Sequence, residues 1–452
     1  MSIVASRDRE AARRLDIFRR FLTHISECIL PDIGFVLWDG STVPADLPAD
    51  ALAFIIADEG AVAAMIRRPS VDTFLNLWVT SRFDLRNGSF FEIAARRPKA
   101  RTRTLMKSLD KRLALATAAK FLFVPRGGPW PLEAVRSDKA GSDETEATNK
   151  KNVHYHYDLS NRFYALFLDP EMVYTCAYFR DWNNDLATAQ RDKLDMICRK
   201  LRLKSGETLL DIGCGWGGLA CYAARHYGVR VHGVTLSQEQ YAYAREKVRH
   251  LGLEDRVTLE LRDYSQLDGS FDKIASIGTF EHIGIANHPT YFQTVHRLLR
   301  PRGLYLHHAI VRRPPRDNRR RERLRPEHLA LARYIFPGGE IDHLGMSIAN
   351  LARYGFEVHD VEGWRDHYAR TTRLWHDRLL AHRAAAEHEV GSVKVRLWLA
   401  YLAGCSLAFE HGHAGIFQTL ASKSARGSSG LPLTRADLYA AGASWNGQPA
   451  AL

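Results

Sequence analysis

Short apolar runs and amphipathic segments alternate along the second half of the chain. Thr208–Ile212 is a short apolar run, Gly217–Tyr227 has helical spacing, and Val229–Val234 reads as a second strand. Ser237–Leu251 follows as a helix with Ser237 as its N-cap. Val257–Leu261, Phe271–Ile277 and Gly303–His308 read as strands, with a helix at Pro289–Leu299 between the last two. Phe356–Glu362 is another strand, Thr371 to Glu410 reads as long helices, and Ile416–Ala421 is the final strand. Strands separated by helices predict a mostly parallel, doubly wound sheet.

The first 124 residues are patterned differently. Gly34–Gly40 (GFVLWDG) is a strand ending in a turn signal, and Ala51–Asp58 (ALAFIIAD) is a second apolar run among helical patterns. Pro125–Lys151 is rich in Pro, Gly, Ser and charge and reads as a linker. The expected division is an N-terminal α+β accessory domain over 1–124. A linker over 125–151, a catalytic α/β domain over 152–424 and a tail over 425–452 complete it. A length of 452 residues suits two domains.

Composition narrows the setting. No uninterrupted apolar run reaches the roughly 18 residues of a membrane span, and Ala51–Ile66 is broken by Asp58 and Glu59. The N-terminus has no apolar stretch of signal-peptide type ahead of its charges. A cytoplasmic protein is expected, with membrane contact peripheral and at the inner face. Cys28, Cys176, Cys198, Cys214, Cys221 and Cys405 form no C-x-x-C pair, which argues for reduced thiols and against structural zinc. A net charge of +12, from 63 basic and 51 acidic residues, favours an anionic partner, either nucleic acid or lipid. Arg312–Arg325 (RRPPRDNRRRERLR) concentrates eight arginines, and a solvated loop is the plain alternative for it.

The chemistry begins at Leu209–Gly218, LLDIGCGWGG, where a strand hands over to a helix. Glycines at that junction permit a tight turn and let a ligand approach the backbone. Gly213, Gly215 and Gly218 also satisfy G-x-G-x-x-G, so a dinucleotide is the first rival. Two features oppose it. Asp211 precedes the first glycine, an anionic group unhelpful beside pyrophosphate and suited to a cationic or zwitterionic ligand. The second strand ends at Thr235-Leu236-Ser237-Gln238, without the acidic residue that would hold a dinucleotide ribose. The D-x-G-x-G-x-G form is similar to that of class I S-adenosylmethionine-dependent methyltransferases, with their Rossmann-like doubly wound sheet.

The flanks carry a narrower resemblance. Val153–Phe179 (VHYHYDLSNRFYALFLDPEMVYTCAYF), LLDIGCGWGG, GVTLSQEQ at Gly233–Gln240, SIGTFEHIG at Ser276–Gly284, YIFPGG at Tyr334–Gly339, HYARTTRLW at His367–Trp375 and YLAGC at Tyr401–Cys405 occur in that order. Together they resemble the cyclopropane-fatty-acid synthases and mycolic acid cyclopropane synthases over roughly 150 to 422. Glu340-Ile341-Asp342-His343 stands where that family tends to run Leu-Pro-Ser, and Asp84–Phe91 (DLRNGSFF) lies near the place of its glycine- and tryptophan-rich stretch.

The resemblance implies transfer of a methylene from S-adenosylmethionine to the cis double bond of an unsaturated phospholipid acyl chain, through a carbocation. The alternative is a sister C-methyltransferase that leaves a methyl or methylene branch. A bound bicarbonate is implied as the base, held by residues matching Cys176, Glu281, His308, Ile310 and Tyr368. Cys405 is linked to the same centre by its YLAGC context. His307 should point to the opposite face of its strand from His308. Cofactor contacts implied are Tyr174 and Thr175, then Gly213, Cys214, Gly215, Trp216 and Gly217 beside Asp211. Thr235, Leu236, Ser237, Gln238 and Gln240 follow, then Asp263 and Tyr264 flanking the adenine, and Ile277 with Gly278. No metal is expected: His154 and His156 lack a third ligand at recognisable spacing. No nucleic-acid partner is expected either, since no RNA-binding module is recognisable. Self-association as a homodimer stays open.

Overall fold

In the computed structural model the described residues are 2–96, 107–134, 159–314, 330, 333–335 and 339–439. The chain divides into two compact units. One takes in residues up to 136 together with 391–404, and the other holds 137–324, 331–390 and 405–452.

The first unit is α+β. A long helix, Ser2–Cys28, precedes β1 (Gly34–Val36), β2 (Thr42–Val43) and β3 (Ala53–Ile56), and β4 (Phe83–Arg86) follows two helices. The sheet order is β2-β1-β3-β4, with β1 and β3 parallel and the other pairs antiparallel. Both early strand expectations hold. Asp58, which interrupts the apolar run, serves as N-cap of helix Glu59–Arg67, accepting from the Ala61 amide at 2.8 Å. The core gathers Phe18, Leu22, Phe35, Leu37, Val43, Ile56, Val62 and Phe121.

Pro125–Ala134, read from sequence as the start of a linker, has defined contacts within this unit. The Arg82 guanidinium donates to the Gly127 and Arg126 carbonyls, and the Leu132 amide donates to the Asn76 side chain at 3.0 Å. Residues 135–158, with His154 and His156, lie outside the described residues.

The second unit carries the predicted doubly wound sheet. Its strands are β5 (Thr208–Ile212), β6 (Arg230–Thr235), β7 (Val257–Leu261), β8 (Phe271–Ile277), β9 (Leu299–Arg312), β10 (Phe356–Gly363) and β11 (Ala414–Lys423). Their order is β10-β11-β9-β8-β5-β6-β7. Six strands point the same way, and β11 lies antiparallel between β9 and β10. Helices Gly218–Tyr227 and Gln238–His250 follow β5 and β6, as the periodicity predicts. The third helical stretch, expected from Thr371, starts at Arg365 and is broken into Arg365–Ala381, Arg383–Val390 and Ser392–Glu410.

Alternation along β9 sorts side chains between two cores. Leu304 and Leu306 join the cluster of helices 186–200 and 218–227, whereas Tyr305 and Ala309 join the cluster of helix His288–Leu298. His307 falls with the second set and His308 with the first, as expected. The tail is not featureless: helix Ala436–Tyr439 buries Leu438, and Arg202 pairs with Asp437 at 3.0 Å.

Ser392–Glu410, not Ala51–Ile66, is the stretch that meets the length and composition of a membrane span, 19 residues long, its apolar pattern broken by Lys394 and Arg396. Half of its apolar window is buried within the protein, the condition of a core helix. Trp78 donates to the Arg396 carbonyl at 2.9 Å, and the Arg396 guanidinium pairs with Asp84 at 3.1 Å, so even the cation is built into the first unit.

Candidate active site

The glycine loop shapes one wall of a cavity of about 250 Å³ at the C-terminal edge of the parallel strands. Gly213 has φ +73°, and a Cβ there would sit 2.1 Å from Thr279 Oγ1. Thr279 needs that space because its hydroxyl donates to the Ile212 carbonyl at 3.0 Å, tying the end of β5 to the segment after β8. Gly215 has φ +54° and no atom of the protein within 4 Å of a notional Cβ, which leaves that side of the loop open to a ligand.

The expected cofactor residues Tyr174, Thr175, Asp211, Gly213, Cys214, Gly215, Trp216, Thr235, Leu236, Gln240, Asp263, Tyr264, Ile277 and Gly278 all line this cavity. Three do not. Gly217 instead caps helix Gly218–Tyr227 in a left-handed conformation. Ser237 is the N-cap of helix Gln238–His250, its hydroxyl accepting from the Gln240 amide at 3.3 Å, and Gln238 opens that helix beyond the wall. The cap still serves the site, because it turns Gln240 inward, where it accepts from the Thr235 hydroxyl at 2.9 Å.

Sequence reading missed Lys193, which also lines the cavity. It lies on helix Leu186–Lys200, whose buried stripe runs Leu186, Ala189, Gln190, Lys193, Leu194 and Ile197. Two polar residues at core-facing positions of an amphipathic helix were the available signal. Both grip the segment before Cys176. Gln190 donates to the Thr175 carbonyl at 2.9 Å, and the Lys193 ammonium donates to the Thr175 hydroxyl at 2.8 Å.

Charge in the cavity is balanced between two poles. Burial raises the Asp211 carboxyl to about 7, against the pull of Lys193, and one of its oxygens is shielded from solvent with no partner. Burial lowers the Lys193 ammonium to about 8, with Asp169, Cys176 and Asp211 opposing. An unpartnered carboxylate oxygen beside an ammonium suits the zwitterionic amino-acid end of S-adenosylmethionine. The residues present therefore fit that cofactor.

A second group of residues gathers one step away. Cys176, Ile310, Tyr368 and Cys405 belong to one apolar cluster with Met196, Trp364, Phe409 and Ile416. Glu281 sits in a 3₁₀ turn, Phe280–His282, and one of its oxygens accepts from the Ile310 amide at 2.6 Å. Its other oxygen is shielded and without a partner, and burial, reinforced by Asp342, raises the carboxyl to about 7. His308 is fully buried, meets the Trp364 ring edge-on at 5.2 Å, and keeps a shielded, unpartnered Nε2. Burial pushes this histidine well below its ordinary range, and the charges of Lys193 and Lys200 add to that. Burial also drives the Cys176 thiol well up, so it stays protonated, its sulfur within 3.8 Å of the Trp364 carbonyl.

The two groups are stitched together residue by residue. Thr175 and His282 line the cavity and are the chain neighbours of Cys176 and Glu281, while Gly278, also on the wall, donates its amide to the His308 carbonyl at 2.9 Å. None of the six residues expected for catalysis lines the cavity itself: Cys176 and Glu281 adjoin wall residues along the chain, the His308 carbonyl accepts from one, and Ile310, Tyr368 and Cys405 pack in the apolar cluster of Cys176.

A parallel seven-stranded sheet with a reversed strand beside its edge, and a glycine loop opening on a pocket for a zwitterion, define a class I S-adenosylmethionine-dependent methyltransferase. Its family is the one described as mycolic acid cyclopropane synthetase, to which this chain belongs through a match over residues 144–419. It is 47% identical over 297 residues to a probable fatty acid methyltransferase of Pseudomonas putida, 65% of this chain and 74% of that one. The cyclopropane-fatty-acyl-phospholipid synthase of Escherichia coli K12 is 39% identical over 268 residues, 59% of this chain and 66% of the relative. Among solved structures, the cyclopropane synthase MmaA2 from Mycobacterium tuberculosis superimposes with a TM-score of 0.57 at 33% identity, covering 62% of this chain and all of that one. Mycolic acid cyclopropane synthase CmaA1, complexed with SAH and CTAB, gives 0.57 at 35% identity over 61% of this chain and 98% of its own.

Proposed function

We propose that the enzyme adds a methylene across the cis double bond of an unsaturated phospholipid acyl chain. The observation that carries this reading is the pair of shielded, unpartnered polar atoms, one on Glu281 and Nε2 of His308, joined through Ile310 and Trp364 to the apolar cluster of Phe409 and Ile416. S-adenosylmethionine, when bound, supplies an electrophilic methyl group. An alkene is a weak nucleophile, so positioning provides much of the rate. Methyl addition to one alkene carbon leaves a cation on the other, and loss of a proton from the new methyl closes the ring. Water would trap that cation as an alcohol, which the apolar cluster around Trp364 opposes.

Deprotonation in an apolar pocket needs a base, and a bound bicarbonate fits the residues present. His308 would donate to it, Tyr368 would add a phenolic hydrogen bond, and Glu281, poised near neutrality, would share its proton. The buried ammonium of Lys193 lends the positive potential an anion requires. The second reading is a fatty-acyl C-methyltransferase giving a methyl- or methylene-branched chain, and the 47% identity to a probable fatty acid methyltransferase favours it. We place the enzyme on the cytoplasmic face of an anionic membrane, where the +12 charge would hold it.

The experiment is turnover on unsaturated phospholipid vesicles, with mass spectrometry for the gain of one CH₂ unit and NMR for ring protons. A ring signal is expected; a branched product selects the second reading. In the same assay Glu281→Gln should lose about 10²–10³ in rate while keeping its dissociation constant for S-adenosylhomocysteine. Undiminished turnover would refute the base site. Loss of cofactor binding would move Glu281 into the cofactor pocket.

A further inference from the structure

Behind His308 stands a residue that nothing above has assigned. Gln418 on β11 is the direct cross-strand partner of His308 on β9. Both are fully buried. The Gln418 amide nitrogen lies 3.0 Å from His308 Nδ1. An amide nitrogen only donates, so Nδ1 must accept, and the single proton of the neutral ring is then left on Nε2. The imidazolium is excluded by the same contact, because it would set one donor against another.

We infer that Gln418 is a positioning residue that fixes His308 as the neutral, Nε2-protonated tautomer, so that His308 presents a donor and never an acceptor to the anion-binding side of the site. The inference rests on the base-site reading, both for its catalytic meaning and for the choice between the two orientations of the Gln418 amide. Turning the amide over would place its oxygen on an Nδ1 proton. That arrangement would bury two unmet amide donors and aim the Nε2 lone pair at a bound anion, which repels it. In the orientation observed, the unmet groups are the Gln418 oxygen, one of its two amide hydrogens and Nε2 itself, so the two orientations differ chiefly in what Nε2 offers an anion. An oxyanion accepting from Nε2–H would satisfy the second. A histidine ligand's tautomer is commonly set by the partner of its other nitrogen in this way.

The test is ¹⁵N NMR of the full chain with labelled histidine, the His308 signals being assigned by their loss in His308→Gln. In the wild type at neutral pH, Nε2 should carry the proton and Nδ1 should give the signature of an unprotonated nitrogen. Gln418→Glu keeps the volume but turns the donor into an acceptor, and it should move a proton onto Nδ1. Turnover should then fall about 10–100-fold, with S-adenosylhomocysteine affinity unchanged. Gln418→Leu should give a mixture of tautomers and an intermediate loss. A wild-type His308 protonated on Nδ1 overturns the inference, and this outcome requires only the assignment variant His308→Gln, not the Gln418 variants, to fold. So does Gln418→Glu with wild-type turnover and an unmoved proton. If the tautomer is as inferred and follows Gln418, yet His308→Gln retains full turnover, the base-site reading fails while the tautomer assignment stands.

Discussion

Asp211 and Lys193 face the same cavity with opposite costs. Burial shifts each pKa against its charged form, and one oxygen of Asp211 is shielded without a partner while the Lys193 ammonium donates to the Thr175 hydroxyl. The Asp211 carboxyl is raised from 3.8 to about 7, so the contribution it makes to stability is complete below its unfolded value and is lost as pH rises through about 7. Glu281, raised from 4.5 to about 7, acts in the same direction. The expected outcome is that Asp211→Asn raises the melting temperature of the ligand-free enzyme above pH 7 and has little effect near pH 4. It should also weaken S-adenosylhomocysteine binding by at least about tenfold, a lost charge-assisted hydrogen bond being worth about 1.5–3 kcal/mol. Melting curves across pH, paired with calorimetric titration, check both halves. A melting temperature that falls at high pH would mean the carboxylate is already satisfied by the protein. Asp211 was legible because it stands beside the glycines. Lys193 was not, because a lysine on a helix ordinarily lies in solvent.

At the scale of the elements, the strand–loop–helix unit from Thr208 to Tyr227 separates two uses of glycine. Gly213 is required by the fold: it combines a left-handed φ with a Cβ position 2.1 Å from Thr279 Oγ1. Gly215 has the left-handed φ but open space around it. Gly213→Ala should therefore break the Thr279–Ile212 tie and cost more than the roughly 1–2 kcal/mol of a left-handed alanine. Gly215→Ala should cost about that strain alone, yet lose cofactor affinity because its methyl meets the ligand. Denaturant unfolding and S-adenosylhomocysteine titration of both variants distinguish them, and equal stability losses would contradict the division. The strand and helix boundaries of this unit follow from periodicity, and Ser237 follows from capping chemistry. The reversal of β11 does not, because an apolar strand reads the same in either direction. Gln418 was missed for that reason: its pairing with His308 spans 110 residues and depends on which neighbour β11 acquires.

For the whole molecule, the excess positive charge is less free than the sequence suggests. Arg312 donates to the Ile341 carbonyl at 3.0 Å, and Arg313 donates to the Gly412 carbonyl at 2.5 Å, so the first two arginines of the 312–325 block are engaged in the fold. Residues 315–325 of the block lie outside the described residues. With the +12 net charge, the enzyme should sediment with anionic phospholipid vesicles and be released as salt rises. Each basic residue near such a surface contributes about 1 kcal/mol, screened over roughly a Debye length. Replacing the arginines at 316, 319, 320, 321, 323 and 325 by glutamine should weaken that binding, and doing the same to Arg312 and Arg313 should mainly lower stability. Equal binding to neutral and anionic vesicles at every salt concentration would exclude an electrostatic contact.

The sequence by itself determined the sheet-and-helix alternation, the glycine loop with its acidic neighbour, and the ordered motifs that place the chain in its family. Each is a local pattern, set by side-chain periodicity, turn chemistry or spacing within a few residues. Tertiary structure alone decided that Lys193 faces the cavity, that Pro125–Ala134 packs rather than links, and that the Ile310 amide is held by Glu281. It also decided that Gln418 lies across from His308. These contacts join residues from 18 to 110 positions apart, and their energies come from burial. A polar atom acquires a perturbed charge or an unmet hydrogen bond only when other segments exclude water from it. The order of residues along the chain does not record that exclusion.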